Sequence, residues 1–149
     1  IKGPGGEYFL TEALDRMIQD GKLFKIATVD EWLDCGTLPA WLETTGIIVE
    51  KEAQNSSEQI DTYAKQGTTI IPPVYLAKNV TLEGVTIGPN VSVELGCVLK
   101  NTKISNSIVR DHATLQGCSL AGSTIGAHTQ VSDVRGEVHV GDHSIISTK

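Results

Sequence analysis

The chain has 149 residues, enough for one ordinary domain or for a small domain joined to part of another. Its formal net charge is -6 and its Lys and Arg residues are scattered, so no basic stripe exists to hold a nucleic acid, and no nucleic-acid partner is expected. No apolar run reaches the roughly 18 residues of a membrane-spanning helix, and the opening residues carry no signal-peptide pattern. A membrane partner is therefore not expected. Cys35, Cys97 and Cys118 are odd in number, far apart and in no CxxC spacing. That argues against a disulfide framework or a structural zinc and predicts a reducing, cytoplasmic setting.

In chain order, Ile1-Lys2-Gly3-Pro4-Gly5-Gly6 reads as a loop from the middle of a protein. Thr11 is placed to cap a helix over Glu12–Asp20, with Ala13, Leu14, Met17 and Ile18 on one face and Gly21 as the stop. Leu23–Val29 reads as a strand. Trp32-Leu33-Asp34-Cys35-Gly36-Thr37 reads as a turn, and Thr37 before Leu38 and Pro39 opens a second helix through Trp41 and Leu42. Trp32 and Trp41 are expected to be packing residues. Residues 50–69 are polar and read as a linker helix ending near Gly67.

From residue 70 the composition shifts to Ile, Val, Thr and Gly, and the segment repeats. Leu76, Val93, Val109 and Ile125 form one line of aliphatic residues. Leu82, Leu99, Leu115 and Val131 form a second, and Ile71, Ile87, Ile104 and Leu120 a third. Each coil is thus 16 or 17 residues with three short strands and three corners. This predicts a parallel β-helix of triangular section, with one aliphatic residue per side stacking on its counterpart about 4.8 Å up the axis. The periodicity carries no information on handedness. Gly88-Pro89-Asn90, Gly96-Cys97, Ser105-Asn106-Ser107 and Gly126-Ala127 read as corners or solvent-facing residues, and Val98, Ile108 and Ala113 as outer-face contacts. After Val131 the register slips through Asp133–Glu137 and resumes at Val140 and Ile146, as a bulging coil or a cap would do.

The tandem repeat resembles the hexapeptide left-handed β-helix. The segment before it resembles the end of a sugar-1-phosphate nucleotidyltransferase domain. Glu7-Tyr8-Phe9-Leu10-Thr11-Glu12-Ala13 is similar to that family's E-Y-x-L-T-D-A entry to a helix. Glu31-Trp32-Leu33-Asp34-Cys35-Gly36-Thr37 is similar to its W-x-D-x-G-T segment, and Pro39–Thr45 to the helix that follows it. The resemblance implies a mainly β chain: a left-handed parallel β-helix over 70–149, a linker helix over 50–69, and over 1–49 an α/β remnant of the catalytic domain. The family's Gly-rich G-x-G-x-R loop, its Lys-Pro segment and its mid-domain metal-binding Asp have no counterpart in this sequence. The expectation is therefore that about two hundred residues, the size of a domain, precede Ile1 in the parent enzyme.

The implied reaction joins a nucleoside triphosphate and a sugar 1-phosphate, with pyrophosphate leaving. It needs a hard divalent cation to neutralise crowded phosphates. Mg²⁺ takes one or two carboxylates and keeps water in its other positions, and Asp34 matches the family's second metal-ligand Asp. The bland alternative for Asp34 is a cap on the helix after Gly36. Glu7 and Thr11 are candidate substrate contacts, and no residue of this chain is assigned as catalytic. Cys35 lacks the His and carboxylate that would activate a thiolate. His112 and His128 lie one coil apart on corners, where they should stack about 5 Å apart. Outward corners tolerate polar residues in general, and a catalytic pair is the sharper alternative.

The resemblance is greatest to long-form thymidylyltransferases acting on glucose 1-phosphate, with this chain inactive alone and the β-helix serving homo-oligomer assembly. A bifunctional enzyme or acyltransferase of the hexapeptide type is the runner-up, and a non-catalytic scaffold subunit is the third reading.

Overall fold

A computed structural model of the chain describes residues 6, 8–52, 63 and 67–148. These fall into two compact units that divide after Trp32.

In the first unit the helix α1 spans Leu10–Gln19. Its N-cap position is Phe9, which offers no side-chain bond, so Thr11 lies inside the first turn and does not cap the helix. Gly21 does end it: with φ at +78° it lets its own amide reach Ile18 O (2.9 Å) and Lys22 N reach Met17 O (2.9 Å). That is the paired 5→2 and 6→1 closure that a left-handed C′ residue permits. The expected strand over Leu23–Val29 is absent; no ladder partner exists among the described residues, and an extended segment without one is not a strand. Its side chains are solvated, Ile26 fully so, and Trp32 is 84 % exposed and packs no core.

The second unit opens with the Asp34 turn and helix α2, Leu38–Glu52. Thr37 caps α2 as expected, its Oγ1 accepting from Ala40 N (3.3 Å), and Pro39 sits in the first turn where its missing N–H costs nothing. The helix runs past the expected Leu42 and absorbs the start of the 50–69 linker. The rest of that linker, except Tyr63 and residues 67–69, lies outside the described residues.

The β-helix is left-handed and parallel, built of three five-stranded sheets. The first sheet orders the strands Thr69–Ile70, Thr86–Ile87, Lys103–Ser105, Ser119–Ala121 and Arg135–Gly136 along the axis. The second orders Val74–Leu76, Val91–Val93, Ser107–Val109, Thr124–Ile125 and His139–Val140. The third orders Thr81–Glu83, Val98–Lys100, Thr114–Gln116, Gln130–Ser132 and Ile145–Ser147. Two of the expected lines stand as read: Leu76, Val93, Val109 and Ile125 pair in succession, as do Leu82, Leu99, Leu115 and Val131. The third begins one residue early. Ile70, not Ile71, pairs with Ile87, and Ile71 is 43 % exposed.

Two inward residues per side, not one, fill the prism. Two positions before each aliphatic line lies a second buried column: Val80, Cys97, Ala113 and Thr129 on one side, Val85, Thr102, Cys118 and Val134 on the next. On the third side Val74, Val91, Ser107 and Ser123 do the same. Cys97, Ser107 and Ala113 are therefore core and not corner or outer-face residues. Sequence periodicity missed them because this column accepts small polar side chains. Thr68 apart, whose buried Oγ1 has no hydrogen-bond partner among the described residues, each buried hydroxyl is satisfied by nearby backbone or side-chain groups. Thr102 Oγ1 donates to Lys100 O (2.9 Å) and accepts from Cys118 N (3.4 Å); Ser107 Oγ donates to Ser105 O (2.6 Å) and accepts from Ser123 N (3.0 Å). Buried polar groups are tolerated on this condition.

The irregular stretch after Val131 forms a fifth coil, with Val140 under Ile125 and Ile146 under Val131. The slip has a simple cause: Gly136 takes the place of an aliphatic residue beneath Leu120, and the coil is one residue short. At the other end Tyr63 packs on the core, and its phenol donates to Val80 O. Helix α2 lies on the outer face of the second sheet, which is why Ile108, facing outward, is only 3 % exposed.

Candidate functional site

The Asp34 turn is held by its own backbone chemistry. Asp34 Oδ1 accepts from Gly36 N (2.9 Å), and Asp34 O accepts from Thr44 Oγ1 (2.7 Å), tying the turn to the second turn of α2. A Cβ on Gly36 would stand 3.2 Å from Asp34 Oδ1, so glycine is what lets the carboxylate fold back over the turn. Thr37 does the helix capping, so Asp34 is not the cap that the bland reading made it. The carboxylate is solvent-exposed and Oδ2 makes no hydrogen bond among the described residues. One free, solvated carboxylate oxygen fits a single ligand position of Mg²⁺, which keeps water elsewhere. Among the described residues no group of three His, Cys, Asp or Glu could hold a metal ion.

Of the other expected site residues, Thr11 belongs to the first unit and Asp34 to the second. Glu7 lies outside the described residues. Thr11 is exposed on the first turn of α1. Cys35 is an exposed free thiol. It lines, with Trp41, Thr44, Ile48, Val49 and Tyr75, a groove of about 460 Å³ between α2 and the β-helix. Trp41 is half-buried there, the packing role expected of it.

His112 and His128 stack as the coil repeat required, with ring centroids 5.1 Å apart, and His143 adds a third ring at 5.0 Å. All three have positive φ, between 54° and 58°. The column continues upward through Gly96 and Asn79, also left-handed. The other corners hold Gly84, Asn101, Gly117 and Asp133 in one column and Asn90, Asn106 and Gly122 in another. The corner selects residues that adopt the left-handed region, and His shares that property with Asn, Asp and Gly. This accounts for the three histidines without a catalytic role.

A second polar cluster escaped the sequence reading. Thr124, 6 % exposed, shares a hydrogen bond with His139 Nδ1 (3.0 Å), and His139 Nε2 bonds Glu137 Oε1 (3.0 Å). Arg110 stands nearby, 3.6 Å from Glu94 and 3.8 Å from Asp142. Asp142 Oδ1 also accepts from Ala127 N (2.8 Å). Leu38 and Trp41 from α2 close a groove of about 300 Å³ over Arg110, Thr124, His139 and Asp142. Their sequence spacing is irregular because the fifth coil is short, and nothing in a linear pattern brings them together.

No protein-family model matches the chain. It is 26% identical over 144 residues to a probable mannose-1-phosphate guanylyltransferase of Oryza sativa subsp. japonica, covering 88% of this chain and 38% of that protein. It is 22% identical over 159 residues to a glucose-1-phosphate thymidylyltransferase of Streptomyces griseus, covering 93% and 45%. To the bifunctional protein GlmU of Cupriavidus taiwanensis it is 27% identical over 132 residues, covering 85% and 26%. The chain thus spans less than half the length of these relatives. It is a hexapeptide-repeat-like β-solenoid preceded by helices and distantly related to nucleotidyltransferases.

Proposed function

We propose that the chain is the C-terminal part of a sugar-1-phosphate nucleotidyltransferase. In this reading residues 1–49 end the catalytic domain, 50–69 link, and 70–149 form a β-helix through which the enzyme assembles as a homo-oligomer. The supporting observation is the order of parts: a W-x-D-x-G-T turn with a solvated Asp34 carboxylate, then a capped helix seated on a hexapeptide-type β-helix. The distant relatives align across both segments.

The reaction is an in-line exchange. A phosphate oxygen of the sugar 1-phosphate bonds to the α-phosphorus of the triphosphate as the bond to pyrophosphate breaks, giving a nucleoside diphosphate sugar. Bound Mg²⁺ supplies charge neutralisation for the phosphates. Asp34 would hold it, its carboxylate oriented by the Gly36 amide. Glu7 and Thr11 contact the substrate. Deoxythymidine triphosphate with glucose 1-phosphate is the first pair to test, and guanosine triphosphate with mannose 1-phosphate the second.

The test is pyrophosphate release by the full-length enzyme with Mg²⁺. Asp34→Asn keeps an oxygen for the Gly36 amide but removes the charge, and should lower kcat at least about a hundredfold, roughly 2.7 kcal/mol of barrier. The 149-residue chain alone should release none. Absence of turnover by the full-length protein with every pair would sink the assignment.

A further inference from the structure

We propose that the groove over the last two coils, closed by α2, is a binding site for a neutral sugar ring. The proposal does not rest on the nucleotidyl-transfer reading. The groove, about 300 Å³, is at the lower end of small-ligand pockets, which run from roughly 300 to 1,000 Å³. Its apolar wall is Leu38 and Trp41 and its polar wall is Arg110, Thr124, His139 and Asp142.

The side chains differ in what they have left to offer. Both nitrogens of His139 are engaged, by Thr124 and Glu137, so His139 is fixed in place and has its ring edge and face to give. The Thr124 hydroxyl gives one of its hydrogen bonds to His139. Arg110 is different. Its guanidinium sits at ion-pair but not hydrogen-bond distance from Glu94 and Asp142, and among the described residues its side chain makes no hydrogen bond. Two carboxylates thus hold a fork of N–H donors in place without using it. Asp142 Oδ1, the oxygen that faces the fork, accepts one hydrogen bond from Ala127 N and keeps a lone pair to offer beside it.

The ligand class follows from charge and shape. One guanidinium faces the carboxylates of Glu94 and Asp142, with Glu137 behind His139, so a phosphate or carboxylate would enter against a negative surplus. A fully apolar ligand would desolvate the Arg110 guanidinium and the Asp142 carboxylate without giving either a hydrogen bond, which is costly. Vicinal hydroxyls donate and accept at once, matching a donor fork beside a carboxylate oxygen. The C–H face of a pyranose matches the indole of Trp41.

The experiment is an NMR titration of the 149-residue chain with methyl glycosides of glucose, mannose, galactose and N-acetylglucosamine. Inorganic phosphate and glucose 1-phosphate are the anionic arms. At least one neutral glycoside should give saturable shifts at the Arg110 Nε–H, the Trp41 indole N–H and the His139 ring, with a millimolar Kd. Arg110→Gln should weaken binding by at least about tenfold, as expected for a lost charge-assisted hydrogen bond. His139→Gln, whose amide can still meet Thr124, should weaken it less. The wild-type shift map needs no variant to fold. Shifts from phosphate or glucose 1-phosphate alone would overturn the ligand class, and no saturable shift at these residues from any glycoside would overturn the site.

Discussion

The left-handed corners show how one residue's backbone preference sets what the surface can carry. Asn, Gly, Asp and His recur at these corners because a β-branched or bulky residue there pays for a positive φ. Glycine has a second use at some of them. An added Cβ on Gly96 would lie 2.5 Å from His112 Nδ1, and on Gly117 it would lie 2.3 Å from Asp133 Oδ1, so the bare corner makes room for the next coil's side chain. The inward column obeys a different rule, and Cys97 tests it. Desolvation raises its thiol from 9.0 to about 11, and its Sγ lies 3.0 Å from Arg110 O. The folded thiol stays neutral while the unfolded one ionises, so its stabilising contribution is whole below pH 9.0 and is lost as pH rises to about 11. The urea midpoint should fall across that window, and Cys97→Ala should flatten the fall. Alanine suits the site because Ala113 occupies the same position one coil on. At pH 8 in the folded protein, iodoacetamide should label exposed Cys35 and spare Cys97; equal labelling of the two would contradict the buried column.

At the scale of elements, the two helices differ in what supports them. Helix α1 has 10 residues and none is buried; Leu10, Met17 and Ile18 face solvent. Isolated helices below about 12–15 residues are marginal in water. Helix α2 has 15 residues, a Thr37 cap, and Val49 buried at 3% exposure. In hydrogen exchange the amides of α1 should therefore exchange close to the unprotected rate, while those of α2 and the coils are protected. Protection of α1 equal to that of α2 would show that its apolar face is covered. The Schellman closure at Gly21 was readable in the linear order, because glycine after a periodic run marks a helix end. The α1 start was not: Thr11 is a good cap by type, but the chain turns two residues earlier, at Phe9. The expected strand over 23–29 failed for another reason, since a strand is defined by a partner.

For the whole molecule, stability should follow the coil order. In a solenoid each coil is supported by its neighbours alone. Leu115 is fully buried between Leu99 and Val131, so Leu115→Ala should cost about 2–5 kcal/mol in urea unfolding. Ile146 lies in the last coil, pairs only with Val131 and is half-buried, so Ile146→Ala should cost clearly less. Equal losses would mean that the end of the prism is as well covered as its middle. The second sheet is the one that α2 covers, and the grooves of about 460 and 300 Å³ lie along that seam.

The coil length, the lines of aliphatic residues apart from Ile71, and the helix opened by Thr37 were legible in the sequence alone, because each depends on spacing within one strand, one turn or one repeat. The stacked histidines were legible for the same reason: a fixed repeat puts residues one coil apart on top of one another. What linear order does not contain is how far a contact reaches around the prism. The inward column of Cys97, Ser107 and Thr129 was hidden because a small polar residue has no hydrophobic signature, and its burial is tolerated because its own turn and the neighbouring coil supply hydrogen bonds. The cluster of Arg110, Thr124, His139 and Asp142 was hidden because it draws on three successive coils, one of them short, and on a helix that precedes them all. Only tertiary structure could assemble it, since the distances that matter there run across the sheet and not along the chain.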